Sequence, residues 1–386
     1  MSDAHFDARE TEPAAAREAA LMARLPQLVR QAQSAPGWAR LLAGVNPDAI
    51  NSRAMLAALP ITRKGDLKSL QAQQLPFGGL TSTPTGQLAR VFMSPGPIFD
   101  PEGRSSDWWR FARPMHAAGV RPGSLVQNCF SYHFTPAAFM VEGGAARIGC
   151  TIIPAGSGQT EMQVQAIVQL QPQIYIGTPS FLRIIIEKAH TMGADISCIQ
   201  RAMMGAEALP ESLRRWFHEH QVPHVFQTYA TADIGCIAYE TETDGKINPG
   251  MVINEDVIVE IVRPGSGEPV AAGDIGEVVV TVFNPDYPLI RLATGDMSAM
   301  LPASDAAPCG RTNGRIRGWM GRADQTTKVR AMFVHPSQVS NIARRHPEIA
   351  KARLVISGRM ANDVMTLHCE LAIRPEMTSL ALAISG

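Results

Sequence analysis

The side chains best suited to chemistry stand in short clusters, each placed just after an apolar run. Gly205-Ala206-Glu207 follows Arg201–Met204, and Phe226-Gln227-Thr228-Tyr229-Ala230-Thr231-Ala232-Asp233 ends another apolar stretch with hydroxyls and a carboxylate. Pro288-Leu289-Ile290-Arg291-Leu292-Ala293 runs into Thr294-Gly295-Asp296. Aspartate beside glycine is a turn signal in its own right, while its carboxylate is an acceptor-only group able to take two hydroxyls at once. Phe130-Ser131-Tyr132-His133-Phe134-Thr135 surrounds one histidine with aromatic rings. Core packing uses such rings too.

Those clusters need elements to hold them. Residues 14–60 read as a helical lead-in, interrupted at Pro36-Gly37 and Asn46-Pro47 and closed by Leu59-Pro60-Ile61-Thr62. Short apolar strands then alternate with amphipathic helices. The strands are Ser124–Phe130, Cys150–Pro154, Gln173–Ile176, Arg201–Met204 and His224–Tyr229; the helices are Met140–Arg147, Glu161–Leu170, Phe181–His190 and Glu211–His220. Such alternation requires crossover connections, hence a parallel sheet covered on both faces. Beyond Gly235, Val257–Val262, the turn Pro264-Gly265-Ser266-Gly267 and Gly276–Phe283 predict a more antiparallel part. After Gly321-Arg322-Ala323-Asp324 come one strand, a helix at Pro336–Arg345, and strands at Ala352–Ile356 and Val364–Leu371. The fold class predicted is α/β. A large domain takes residues 1–323, made of a helical lead-in (1–80), an α/β core (81–235) and a β-rich part (236–323), and a small, partial α+β domain takes 324–386.

Composition narrows the partners. A chain of 386 residues exceeds one ordinary core. With 45% hydrophobic and 18% charged residues it has the makeup of a globular protein. Basic and acidic residues balance at 35 each, so no net field favours nucleic acid or an anionic membrane, and a small-molecule partner is expected. The polar, acidic start lacks the pattern of a signal peptide, and no apolar run approaches the roughly 18 residues of a membrane span. A cytoplasmic location is expected. Cys129, Cys150, Cys198, Cys236, Cys309 and Cys369 contain no C-x-x-C pair, which fits a reduced compartment.

Taken in order, the clusters resemble the motifs of phenylacetate–CoA ligases, a branch of the acyl-adenylate-forming superfamily, over about Leu41 to Leu371. Gly205-Ala206-Glu207 is similar to its G-A-E turn, and Phe226–Asp233 to its D-x-Y-G-x-[ST]-E segment. Pro288–Asp296 resembles P-L-I-R-Y-R-T-G-D, Cys309-Gly310-Arg311-Thr312 resembles C-G-R-T, and Gly321–Asp324 with Val334-His335-Pro336-Ser337-Gln338 resembles G-R-x-D and V-F-P-S-Q. The resemblance implies an enzyme that joins a carboxylate to the α-phosphate of ATP and passes the acyl group to coenzyme A, with Mg²⁺, backbone amides and cations where negative charge gathers. It implies that Asp296 accepts the ribose hydroxyls and that Arg322 holds the ribose from the hinge side. Tyr229, with Thr228 beside it, would lie near the adenine, whose edge the backbone of Gly205, Ala206 and Glu207 reads. Asp233 replaces a Mg²⁺-binding glutamate and, one methylene shorter, reaches the metal through water. Tyr132, His133 and Phe134 would border the acid, with His133 meeting its carboxylate. Relatives often pair as dimers, though no interface is legible here.

The chain also departs from the family pattern. Where S-[ST]-G-T-T-G-K-P is expected, it has Met93-Ser94-Pro95-Gly96-Pro97-Ile98-Phe99-Asp100-Pro101-Glu102-Gly103. Ser94 remains, but three prolines remove amide donors, the lysine is missing, and Asp100 and Glu102 are expected to bring negative charge toward phosphate. Of Lys64, Lys68, Lys188, Lys246, Lys328 and Lys351, none stands in the context of the family's C-terminal lysine loop. The residues after the hinge are Arg330-Ala331 in place of R-G, which restricts the backbone. Cys309 is left without cysteine partners, with Ala307, Thr241 and Lys246 nearby in the motif, so no zinc is expected. The function expected is AMP-forming ligation of an aromatic acid such as phenylacetate to CoA. The alternative is a catalytically impaired protein of the same fold that binds nucleotide or acyl groups in a regulatory role, and a third reading takes the chain as a truncated product of a longer frame.

Overall fold

The computed structural model describes residues 4–94, 96–302, 307–323, 327–329, 332–334, 336–346, 348–359 and 362–371. Pro95, Asp324, Arg330, Ala331 and His335, singled out above, lie outside the described residues. The chain divides into two compact units, Met1–Met320 and Gly321–Gly386.

In the first unit the strands are β1 Thr62–Arg63, β2 Arg90–Ser94, β3 Ile98–Glu102, β4 Leu125–Asn128, β5 Thr151–Ile153, β6 Ile174–Gly177, β7 Arg201–Met204, β8 His224–Thr231, β9 Gly235–Tyr239, β10 Glu242–Thr243, β11 Lys246–Ile247, β12 Met251–Ile253, β13 Val257–Val262, β14 Ile275–Val282, β15 Leu289–Ala299 and β16 Arg315–Ile316. An eight-stranded sheet runs β16-β12-β9-β8-β7-β6-β4-β5. From β5 to β8 the pairing is parallel, as the alternation predicts, whereas β9, β12 and β16 add to the other side antiparallel. A second sheet of four strands runs β1-β15-β14-β13, and β2–β3 form a hairpin of their own. In the second unit the described residues hold the strand pair Thr327–Val329 and Met332–Val334, a helix at Pro336–Arg345, and a long pair, Ile349–Arg359 with Asn362–Leu371.

Local chemistry explains the elements that carry the site. β6 reads Ile-Tyr-Ile-Gly with every residue buried, as expected of a parallel strand covered on both faces. The helix after it, Pro179–Met192, starts where the Thr178 hydroxyl accepts the Phe181 amide at 3.3 Å and proline takes the first turn. It buries Leu182, Ile185, Ile186 and Ala189, one stripe at helical spacing, and stops at Gly193 in the left-handed region. Its loop and its neighbours' loops therefore open at the carboxyl edge of the parallel strands.

The lead-in is fastened to the second sheet by Arg291. Its guanidinium bonds to the Ala57 carbonyl (2.6 Å), the Leu59 carbonyl (2.6 Å), the Gly267 carbonyl (3.0 Å) and the Glu260 carboxylate (3.1 Å), and both ionic side chains are almost wholly buried. This arginine thus belongs to the scaffold although its sequence neighbours read as a ligand motif. Truncating it would strand the Glu260 charge, a change that typically costs about 3 to 5 kcal/mol. Arg291→Ala is expected to lower the melting temperature steeply, while Arg291→Ala with Glu260→Gln recovers part of the loss. Calorimetric melts of the two variants check this, and equal melting of Arg291→Ala and wild type would refute it.

Candidate active site

The sequence clusters gather at one edge because each follows a parallel strand, the position at which open α/β sheets form ligand crevices. After β7, the Gly205 amide bonds to the Gly177 carbonyl at the end of β6 (3.1 Å). Ala206 takes φ +65°, a conformation that costs a non-glycine residue roughly 1 to 3 kcal/mol and persists only when neighbours impose it. Those neighbours are visible. The Glu207 carboxylate accepts the Ser180 amide (3.2 Å) and hydroxyl (2.9 Å), and its carbonyl accepts the Gln227 side-chain amide (3.3 Å). The turn is held by the start of one helix and by β8.

On β8, Tyr229 crosses to the second sheet. Its hydroxyl donates to Asp296 Oδ2 at 2.9 Å and lies 3.2 Å from the Thr294 hydroxyl, which in turn bonds to the Val278 carbonyl. Trp319 Nε1 donates to Asp296 Oδ1 at 3.0 Å. Two protein donors thus fix the carboxylate, a group that offers about four acceptor positions in all. Trp319 had no signal in the sequence beyond standing two residues before Gly321. Next to Tyr229, the Thr228 hydroxyl is buried and makes no hydrogen bond. Arg322 belongs to the second unit.

The hairpin β2–β3 pairs Ser94 with Ile98 and Phe92 with Asp100. The Ser94 hydroxyl is spent inside the turn, on the Ile98 carbonyl at 3.3 Å. The expectation that Asp100 and Glu102 face phosphate is corrected: Asp100 is fully buried, and Glu102 is buried against Arg90 at 2.9 Å. Alternation along β3 sends both to the inner face, where a charge persists only with a partner or a proton. The Met93 amide bonds to the Phe134 carbonyl (2.9 Å), which joins the hairpin to the aromatic loop. In that loop the Tyr132 hydroxyl donates to Glu142 (2.7 Å) and accepts from Asn128 (3.0 Å), and its ring meets Phe139 edge-on at 5.5 Å. His133 and Phe134 are exposed, ring against ring at 4.6 Å.

Asp233 meets a different neighbour from the one expected. Its side chain is wholly buried and Oδ1 takes the Lys64 ammonium, while Oδ2 has no hydrogen bond. With Oδ1 on the Lys64 ammonium, Asp233 would act on Mg²⁺ through its remaining oxygen and a water, as the resemblance implies. Among the described residues no group of three or more His, Cys, Asp or Glu side chains could hold a metal. Burial lowers the proton affinity of Lys64, but Asp233 and Asp100 outweigh it and hold the amine above its ordinary range. Asp100 is pushed up to about 7, chiefly by burial and then by Asp233, against the opposing pull of Lys64. Lys64 was legible only as one lysine in a list.

The segment Cys309-Gly310-Arg311-Thr312 also serves the scaffold. Arg311 Nε bonds to the buried Glu10 (3.2 Å), which also accepts the Tyr239 hydroxyl (2.9 Å), and Cys309 Sγ lies 3.4 Å from the Thr241 hydroxyl.

Comparison with known proteins gives the same picture from outside. Residues 109–282 match the AMP-binding enzyme family. The phenylacetate–coenzyme A ligase of Thermus thermophilus is 30% identical over 91% of this chain and 80% of its own length. That of Aromatoleum evansii is also 30% identical, over 86% and 76%. A 2-hydroxyisobutyryl-CoA ligase in complex with 2-HIB-AMP and CoA superposes with a TM-score of 0.84 at 26% identity, covering 99% of this chain and 84% of that one.

The state of Asp100 makes a testable claim about pH. From its ordinary 3.8 up to about 7, the folded chain keeps a proton on Asp100 that the unfolded chain has released. Stability therefore falls as pH rises through that window and levels off above it. Asp100→Asn removes this loss, so its advantage over wild type is expected to grow from pH 5 to pH 8, by on the order of a few kcal/mol at most. Thermal melts at both values test it, and an unchanged difference would rule it out.

Proposed function

This chain is a phenylacetate–CoA ligase-like member of the AMP-binding enzyme family, and from that premise we propose that it activates an aromatic carboxylic acid such as phenylacetate with ATP and transfers it to CoA. The observation that carries the reading is the junction of Tyr229 and Asp296, 2.9 Å apart, near the Gly205–Glu207 turn at the carboxyl edge of β7 and β8. There Asp296 receives the ribose hydroxyls in an orientation set by Tyr229 and Trp319, and the turn's backbone borders the adenine. In the first half-reaction a carboxylate oxygen of the acid bonds to the α-phosphorus while the bond to the bridging oxygen breaks and pyrophosphate leaves. In the second, the CoA thiol attacks the acyl carbonyl, the bond to AMP breaks, and the thiol proton is released. The chain's contribution is to align two anionic reactants and exclude water, work that positioning and fixed dipoles perform.

An aromatic acid is favoured by the loop that follows β4. Tyr132, Phe139 and Phe92 form a ring cluster, with centroids 5.5 and 5.2 Å apart, beside the hairpin that the Phe134 carbonyl joins.

The test is acyl-CoA and AMP formation by the full chain over a panel of phenylacetate, benzoate, 2-hydroxyisobutyrate and acetate. Aryl acids are expected to exceed the aliphatic ones in kcat/KM by at least about tenfold, the yield of 1 to 3 kcal/mol from an apolar pocket. Asp296→Ala is expected to weaken AMP binding roughly 10- to 100-fold through lost charge-assisted hydrogen bonds. No ATP–pyrophosphate exchange with any acid would end this reading.

A further inference from the structure

The hairpin that aligns with the family's phosphate loop brings no lysine, and its two carboxylates turn inward, so the cation that faces a polyphosphate must come from elsewhere. β1 supplies one. It runs parallel to β15 with Thr62 opposite Leu292 and Arg63 opposite Ala293, so the register carries Lys64 alongside Thr294, two residues before Asp296. Lys64 opens a short 3₁₀ turn, Lys64–Asp66, and reaches the Asp233 carboxylate. Asp100 and Asp296 are the other anions that act on it. The Asp233 side chain is sealed at 0% exposure, whereas that of Lys64 is 26% exposed, so part of its stem reaches the surface while burial acts on the ammonium among the carboxylates.

Around it stand buried oxygens that the protein leaves without hydrogen bonds: both of Asp100, Oδ2 of Asp233, and the Tyr287 hydroxyl, which both carboxylates influence. These oxygens leave the Lys64–Asp233 pair without its full set of hydrogen bonds from the protein.

We propose that Lys64 binds the polyphosphate of the nucleotide, taking the role of the lysine absent from the hairpin, with Asp233 and Asp100 as positioning residues. This rests on the ligase reading above. A point-charge ammonium on a flexible stem suits phosphate oxygens, and its contact is with the phosphates beyond the α position, so ATP feels it and AMP does not.

Isothermal calorimetry of the full chain with ATP and with AMP, each with excess Mg²⁺, tests the assignment. Lys64→Gln is expected to weaken ATP about 10- to 100-fold, the worth of one or two charge-assisted bonds, and to leave AMP within about threefold. Because that variant leaves Asp233 buried alone, Lys64→Met with Asp233→Asn is measured beside it; this pair removes both charges and is expected to show the same selective loss of ATP. Equal losses for ATP and AMP in the double variant, or no loss for either, overturn the role of Lys64 while the ligase reading stands. A wild-type chain that binds neither nucleotide overturns both.

Discussion

The site depends on a seam of polar contacts between two sheets. Tyr229 on β8 of the eight-stranded sheet donates to Asp296 on β15 of the four-stranded sheet, and Asp233, just past β8, binds Lys64, just past β1. Both contacts bridge elements distant in sequence; the Asp233 carboxylate is withdrawn from water and that of Asp296 is half-buried. A carboxylate in such surroundings must find a donor or a proton, since an uncompensated buried charge is too costly to keep. The partners therefore fix how β8 and β15 meet, and with them the positions of the residues around that junction.

The same rule shapes the hairpin. Its sequence puts acidic residues where a phosphate loop would have glycine and lysine, yet the pleat sends Asp100 and Glu102 to the inner face. Arg90 neutralises Glu102, and burial raises the proton affinity of Asp100. The negative charge expected to repel a nucleotide is thus largely hidden from it. On the reading proposed above, binding a polyphosphate then falls to Lys64, just past β1, and the electrostatic work moves from the hairpin to the β1–β15 edge.

Much of the fold could be read from the sequence because its signals are local. The strand at Arg201–Met204 was placed residue for residue, and the helix at Glu161–Leu170 to within one residue of Thr160–Leu170. The short strands β9, β12 and β16 escaped notice as members of the main sheet, because two to five residues give no period and their pairing is long-range. Motif residues were a mixed guide. Asp296 and Tyr229 meet in the cleft, whereas Arg291 and Arg311, from equally suggestive segments, are buried ties to Glu260 and Glu10. A motif preserves residues for either reason, and spacing cannot separate them.

The sequence by itself determined the α/β class, the order of the elements and the identity of the clusters, since periodicity, caps and turn residues act within a few positions of themselves. Tertiary structure decided which side chains share a space: that Trp319 and Tyr229 clasp Asp296, that Asp100 turns inward, and that Lys64 stands against Asp233 across 169 positions of chain. The reason is physical. Strand pairing and the burial of charge are set by elements far apart in the chain, and a lysine's neighbours exist only once the sheets that carry them have met.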